Sequence, residues 1–185
     1  LVLTLRKGRI KLTAPLLFCL AAIFTVTLGG ITGVMQAFPV LDYAFRGTYW
    51  IVGHFHYVMA GTTLFALLGG LYYWWPKITK RLYNEKLAIF TFFFSFLGFN
   101  VLYFPMFVIG YEGMPRRYFD YPPQYHTGHL ISTAGSWLVA AALLLIFGNL
   151  VRALFKGAAA PDNPWNGKPW SGTYRRLHPG TTSGG

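Results

Sequence analysis

Two histidines, His54 and His56, stand in the run Tyr49-Trp-Ile-Val-Gly-His-Phe-His-Tyr-Val58, whose other members are apolar, aromatic or glycine. Ionisable side chains in an apolar span are costly and are functional candidates by default. At about 100° per residue, positions two apart point about 200° apart around a helix axis. The two imidazoles therefore face nearly opposite sides and cannot share one metal ion. A zinc pair on a helix wants positions four apart and a general base nearby, which this run lacks. The spacing fits two separate centres, each taking one imidazole as an axial ligand. Heme is commonly served in this way, and it is large and apolar enough to sit between transmembrane helices. The alternative is a pair of neutral imidazoles hydrogen-bonded to neighbouring helices. Gly53 and Gly61 leave room beside a heme plane on the first reading and serve helix packing on the second.

A second place of interest is Gly113-Met-Pro-Arg-Arg-Tyr-Phe-Asp-Tyr121. The adjacent Arg116 and Arg117 answer a local negative charge, either heme propionates or Asp120, Glu112 and lipid headgroups. Asp42 belongs to the same cluster as a propionate neighbour or a proton carrier, or is a solvated loop residue.

The elements that must hold these groups are apolar. Of 185 residues, 54% are hydrophobic and only 11% charged, which excludes an ordinary soluble domain. Four stretches are long enough to cross a bilayer, which takes about 20 helical residues: Leu12 to Met35, Tyr49 to Trp75, Leu87 to Ile109 and Leu130 to Phe155. Thr13 and Pro15 start the first, as capping residue and early-turn proline. Pro76 ends the second after the interfacial pair Trp74 and Trp75, and Pro105 kinks or ends the third near Phe104. Cys19 is the single cysteine, so neither an internal disulfide nor a cysteine-ligated zinc or iron–sulfur site is expected. No secretory signal is visible, and the first residue, Leu1, suggests a processed chain or a fragment.

The net charge of +11 raises the question of nucleic acid. Thirteen Lys and Arg flank the spans on one side, in the groups Arg6 to Lys11, Lys77 to Lys86 and Arg152 to Arg176, against Arg46, Arg116 and Arg117 on the other. The bias encodes topology, with both termini on the cytoplasmic or matrix side, and nucleic acid is not expected as a partner. The fold expected is all-α, a polytopic transmembrane bundle over residues 1–156. A Pro-, Gly- and Trp-rich irregular tail follows over residues 157–185.

His54-Phe-His-Tyr-Val58 and Gly113-Met-Pro-Arg-Arg-Tyr118 resemble the signature segments of cytochrome c oxidase subunit I, in the heme–copper oxidase superfamily. Thr4 through Pro15, the Gly29-Gly-Ile-Thr-Gly33 turn and Asn100 to Pro105 also resemble that subunit, in the same order. The resemblance implies that the four spans are equivalent to the last four of twelve. It implies that His54 holds the high-spin heme at the oxygen-reducing centre and that His56 is one axial ligand of the low-spin heme, with Phe55 between them. Arg116 and Arg117 match the pair that binds propionates, and Asp42 matches an acidic residue near the high-spin heme. The hemes implied are of the A type. Copper, its ligands and the second low-spin ligand would come from residues upstream of Leu1.

The implied activity is reduction of dioxygen to water by cytochrome c, coupled to proton translocation in a bacterial plasma membrane or mitochondrial inner membrane. The implied partners are the upstream half of the subunit, a subunit II with an electron-entry copper centre, subunit III and lipid. The chain departs from the family's usual pattern at Arg46-Gly47, where a His-Asp pair supplies ligands to a magnesium or manganese ion. Neither residue binds a hard cation through its side chain, so that site is expected to be absent or altered, with the guanidinium supplying positive charge. His126, His129 and His178 match no ligand position. A quinol oxidase is the nearest alternative, and a non-catalytic membrane subunit with structural histidines is the alternative from a different class.

Overall fold

A computed structural model of the chain describes residues 10–165. The expectations for Arg6, Lys7, Arg9, Lys168, Arg175, Arg176, His178 and the tail past Trp165 lie outside the described residues. Helix α1 spans Ala14–Ala37, the short α2 Pro39–Phe45 and α3 Tyr49–Phe55. A π-helical turn, His56–Gly61, leads without a break into α4, Thr62–Thr79. Then come α5, Glu85–Tyr111, a 3-10 turn at Pro123–Tyr125 and α6, His126–Lys156. Four helical stretches are long and apolar enough to cross a membrane: Ala14–Ala37, Tyr49–Thr79, Glu85–Tyr111 and Pro123–Lys156.

Three boundaries differ from expectation. Pro76 does not end the second span: the helix runs one turn further, and Lys80 closes it in the left-handed region at φ 57°, its N–H bonded to the Pro76 carbonyl at 3.0 Å. Pro105 does not end the third span either, because α5 continues to Tyr111. There α5 lies against α3 and α6, so packing outweighs the one backbone hydrogen bond that a proline forgoes. Thr13 occupies the start of α1 without capping it through its side chain, and Glu85 accepts the Ala14 N–H at 2.7 Å in its place. A carboxylate at a helix N-terminus also meets the positive end of the helix dipole.

Consecutive spans are neighbours. α1 packs along the π turn and α4, while α5 is packed between α3 and α6. The close approaches fall at glycine: a Cβ on Gly110 would collide with the backbone of Trp50, and one on Gly135 with that of Leu102. Aromatic rings fill the core. Phe18 meets Phe92 edge-on at 5.1 Å, Phe65 meets Phe99 at 5.3 Å, and Tyr57 meets Phe99 at 5.1 Å. Such pairs add specific geometry to plain burial.

Each end of the bundle is tied by backbone hydrogen bonds. At one end, Tyr49 N–H donates to Met114 O at 2.9 Å and Arg116 N–H to Gly47 O at 2.8 Å, joining the two loops that carry Asp42 and the arginine pair. At the other, Leu82 N–H donates to Ala158 O at 2.8 Å and Ala160 N–H to Lys80 O at 2.9 Å, so the chain after α6 returns against the loop between α4 and α5. Burial pushes the Tyr83 phenol in that loop well above its ordinary range, and Glu85 adds to the shift. Asn149, 3% exposed, exchanges two bonds with the Asn84 backbone, at 3.2 and 3.0 Å. Asn149→Ala removes both of these bonds, leaving the Asn84 carbonyl with the Ala88 N–H alone and the Asn84 N–H without this partner. It is expected to cost about 1–3 kcal/mol, read as a lowered thermal midpoint in detergent.

Candidate functional site

His54 and His56 contact different helices. His54, half-buried at the end of α3, lies against α1: its Nδ1 is 2.9 Å from Gly29 O and 3.1 Å from Thr32 Oγ1. Thr32 Oγ1 itself donates to Gly29 O at 2.8 Å. His56 lies on the α5 side, its ring stacked on Tyr103 at 4.2 Å and 18°, and its Nδ1 is 2.7 Å from Val52 O. A carbonyl oxygen only accepts, so in a neutral imidazole the proton sits on Nδ1 and Nε2 carries a lone pair. Among the described residues neither Nε2 has a hydrogen-bond partner. Two bare imidazole nitrogens, each with the opposite nitrogen held by a backbone carbonyl, is the arrangement that metal-ligating histidines adopt.

The backbone around them is specialised. Val52 O also receives the backbone N–H of His56, so side chain and main chain share one acceptor. A side chain entering the helical ladder in this way loosens it, and the helix widens to π geometry from His56 onward. Tyr57, fully buried in that π turn, donates its hydroxyl to Asn100 Oδ1 at 2.8 Å, and Asn100 Nδ2 donates to Phe96 O at 2.8 Å. This chain of bonds fixes the π turn against the face of α5 that also presents Tyr103. Sequence reading missed the π turn, which has no residue signature, and it missed Thr32, Tyr103 and the pairing of Tyr57 with Asn100. Polar residues within the spans were the available signal for Thr32 and Asn100.

Of the two readings for Gly53 and Gly61, the contacts favour helix packing. Gly53 and Gly61 open no space beside the histidines: a Cβ on Gly53 would meet the Phe107 ring at 3.2 Å, and one on Gly61 would meet Phe99 Cζ at 2.6 Å. Gly33 is the glycine of the site, since its Cβ would stand 2.8 Å from His54 Cε1. The Gly29 to Gly33 segment is helical throughout, one turn of the first span. Thr32 also lines an apolar pocket of about 310 Å³ with Leu28, Trp50, Phe104, Phe107 and Val108.

Among the remaining candidates, Phe55 packs on the His56 ring at 4.4 Å. Asp42 is paired with Arg46, Oδ2 to Nε 3.1 Å, across one helical turn. The Arg46 guanidinium is 80% exposed, so its charge is matched locally by Asp42. Arg116 is half-buried, and Arg117 is exposed with φ 67°, a left-handed backbone that a non-glycine residue rarely adopts. Among the described residues neither guanidinium forms an ion pair, with Asp120 and Glu112 included. The described residues contain no group of three or more His, Cys, Asp or Glu placed to hold a metal ion. His126 and His129 stand in the first turn of α6, beside Tyr121.

The family model for cytochrome c and quinol oxidase polypeptide I matches residues 1–138. The chain belongs to this family. It is 43% identical over 164 residues to cytochrome c oxidase subunit 1 of Bacillus sp. (strain PS3), covering 88% of this chain and 27% of that protein. It is 42% identical over 166 residues to heme-copper oxidase subunit I+III of Aeropyrum pernix, covering 89% and 20%. A probable quinol oxidase subunit 1 of Staphylococcus aureus is 41% identical over 186 residues, covering 98% and 27%. The chain thus spans about a quarter of the length of these relatives. In a cryo-EM structure of a heme-copper terminal oxidase dimer the same fold recurs, with a TM-score of 0.70 at 22% identity over 80% of this chain and 28% of that one. The four-helix architecture is that of the family, and the chain is an integral membrane protein.

If the carbonyls fix the tautomer, nitrogen-15 NMR of histidine-labelled protein should find Nδ1 protonated and Nε2 unprotonated for both residues. Gly33→Ala should displace His54 from Gly29 and change its resonances while leaving those of His56 in place. Equal mixtures of both tautomers would contradict the geometry.

Proposed function

We propose that this chain is part of the catalytic subunit of a respiratory heme–copper terminal oxidase, and that His54 and His56 would each hold one heme through Nε2. The observation that carries the reading is the pair of carbonyl-held Nδ1 atoms on two helix faces, which leaves two ligating nitrogens with no competing partner. The residues fit the group. Gly33 keeps α1 clear of the His54 ring, Thr32 and Gly29 fix its orientation, and Tyr103 and Phe55 flank the His56 ring. When bound, the hemes, with copper held by residues outside this chain, would supply the redox chemistry: passage of four electrons to dioxygen, which with four protons gives two water molecules.

The chain's own part is positional and electrostatic. The Nδ1 hydrogen bonds raise the basicity of the ligating nitrogens and hold each ring at one angle. Arg116 and Arg117, with no carboxylate partner among the described residues, are offered to heme propionates, where charge-assisted bonds are strong. Asp42 lies with Arg46 in the loop bonded to the arginine loop, so its charge acts on the same region in a pair already neutralised. That pair supplies no open carboxylate for a magnesium or manganese ion, in keeping with an absent or altered site at Arg46-Gly47. A-type hemes, cytochrome c as the donor and proton translocation follow from the resemblance, as do subunits II and III and the upstream part of the subunit as partners. Placement of the basic ends on the cytoplasmic or matrix side follows from the charge bias.

A quinol donor is the second reading, favoured by the 41% identity to a probable quinol oxidase subunit over 98% of the chain. Donor assays with purified cytochrome c and with a short-chain quinol separate the two.

His56→Ala is expected to remove the low-spin heme spectrum and leave a carbon-monoxide-binding heme, and His54→Ala to do the reverse. Arg116→Gln and Arg117→Gln remove positive charge that favours the reduced iron, so the midpoint potential of the affected heme should fall in a redox titration. Survival of both heme signals in both histidine variants, or unchanged potentials in both arginine variants, would defeat the respective assignment.

A further inference from the structure

Three side chains near the arginine loop take no part in the heme reading. His126 and His129 lie three positions apart in the first turn of α6, on one helix face. Met114, 3% exposed, reaches His129 from the loop after α5, its Sδ 2.9 Å from His129 Nε2. Backbone bonds hold the methionine in place: its N–H donates to Ile109 O at 3.0 Å, and its carbonyl accepts from Tyr49 at 2.9 Å. One phenol touches both imidazoles, because the Tyr121 hydroxyl is 3.3 Å from His126 Nδ1 and its ring is 4.2 Å from the His129 ring.

The donor set is soft. A thioether is a weak hydrogen-bond acceptor, poorly matched to an imidazole N–H, whereas thioether and imidazole together suit copper(I) and repel no soft cation by charge. Sulfur and nitrogen come from two separate elements, a pinned loop and a helix, so the distance between them is set by the fold. When the Tyr121 oxygen accepts from His126 Nδ1, Nε2 of that ring becomes its ligating nitrogen, the same device seen at His54 and His56. We propose that Met114 Sδ, His129 Nε2 and His126 Nε2 form a binding site for a soft monovalent ion of the copper(I) class.

Silver(I), which has no redox chemistry under these conditions, probes this class directly. The complex containing the chain, purified with its own metals in place, is titrated with silver(I) against a competing chelator, and bound silver is counted after desalting. H126Q, H129Q and M114L should each weaken one tight site by at least about tenfold. X-ray absorption at the silver edge should lose a sulfur neighbour in M114L. His126 is exposed, so H126Q tests the site without endangering the fold. Silver binding equal to wild type in H126Q or in H129Q overturns the proposal and leaves His129 and Met114 as a hydrogen bond that pins the loop to α6.

Discussion

A backbone carbonyl accepts a hydrogen bond and cannot donate one, and on that asymmetry the site depends. Gly29 O and Val52 O each accept a hydrogen bond from an imidazole Nδ1–H, which leaves a lone pair on each Nε2. The two carbonyls belong to different environments. Gly29 lies on the neighbouring helix α1, so His54 is oriented by tertiary packing. Val52 lies one turn back on the same helix, so His56 is oriented by its own backbone. One histidine is therefore sensitive to the fit of α1 against the second span, and the other to the local helical ladder.

Much of the remaining structure serves these two constraints. Gly33 lets α1 approach the His54 ring, and Thr32 bridges the same carbonyl. The π turn absorbs the sharing of Val52 O at His56, while Tyr57 and Asn100 lock that turn to α5. The π turn is thus held by a buried polar contact one residue from His56, in a region where an unpaired hydroxyl would be costly. The two loops at the site end are joined backbone to backbone, so Arg116, Arg117 and the Asp42–Arg46 pair move with the helices that carry the histidines.

The four spans and the opposition of His54 and His56 around one helix were legible in the sequence, because hydropathy and a period of 3.6 are long-range signals that survive any packing. Helix ends were less so. Pro76 read as a stop and Pro105 as a kink or a stop, yet each sits inside a helix, since neighbouring spans hold the backbone on both sides of the missing N–H. Glycines were ambiguous for the same reason: only the partner helix reveals that Gly53 faces Phe107 while Gly33 faces His54. The Glu85 cap on α1 joins residues 71 apart in the chain, a pairing no local motif announces.

The most direct test of the central claim is a reduced-minus-oxidised spectrum, with and without carbon monoxide, of the wild-type complex purified through this chain from its native membrane. The account predicts one low-spin heme and one high-spin heme that binds carbon monoxide. A heme-free complex would contradict it, and would leave the two carbonyl-held imidazoles as structural polar groups of a membrane bundle.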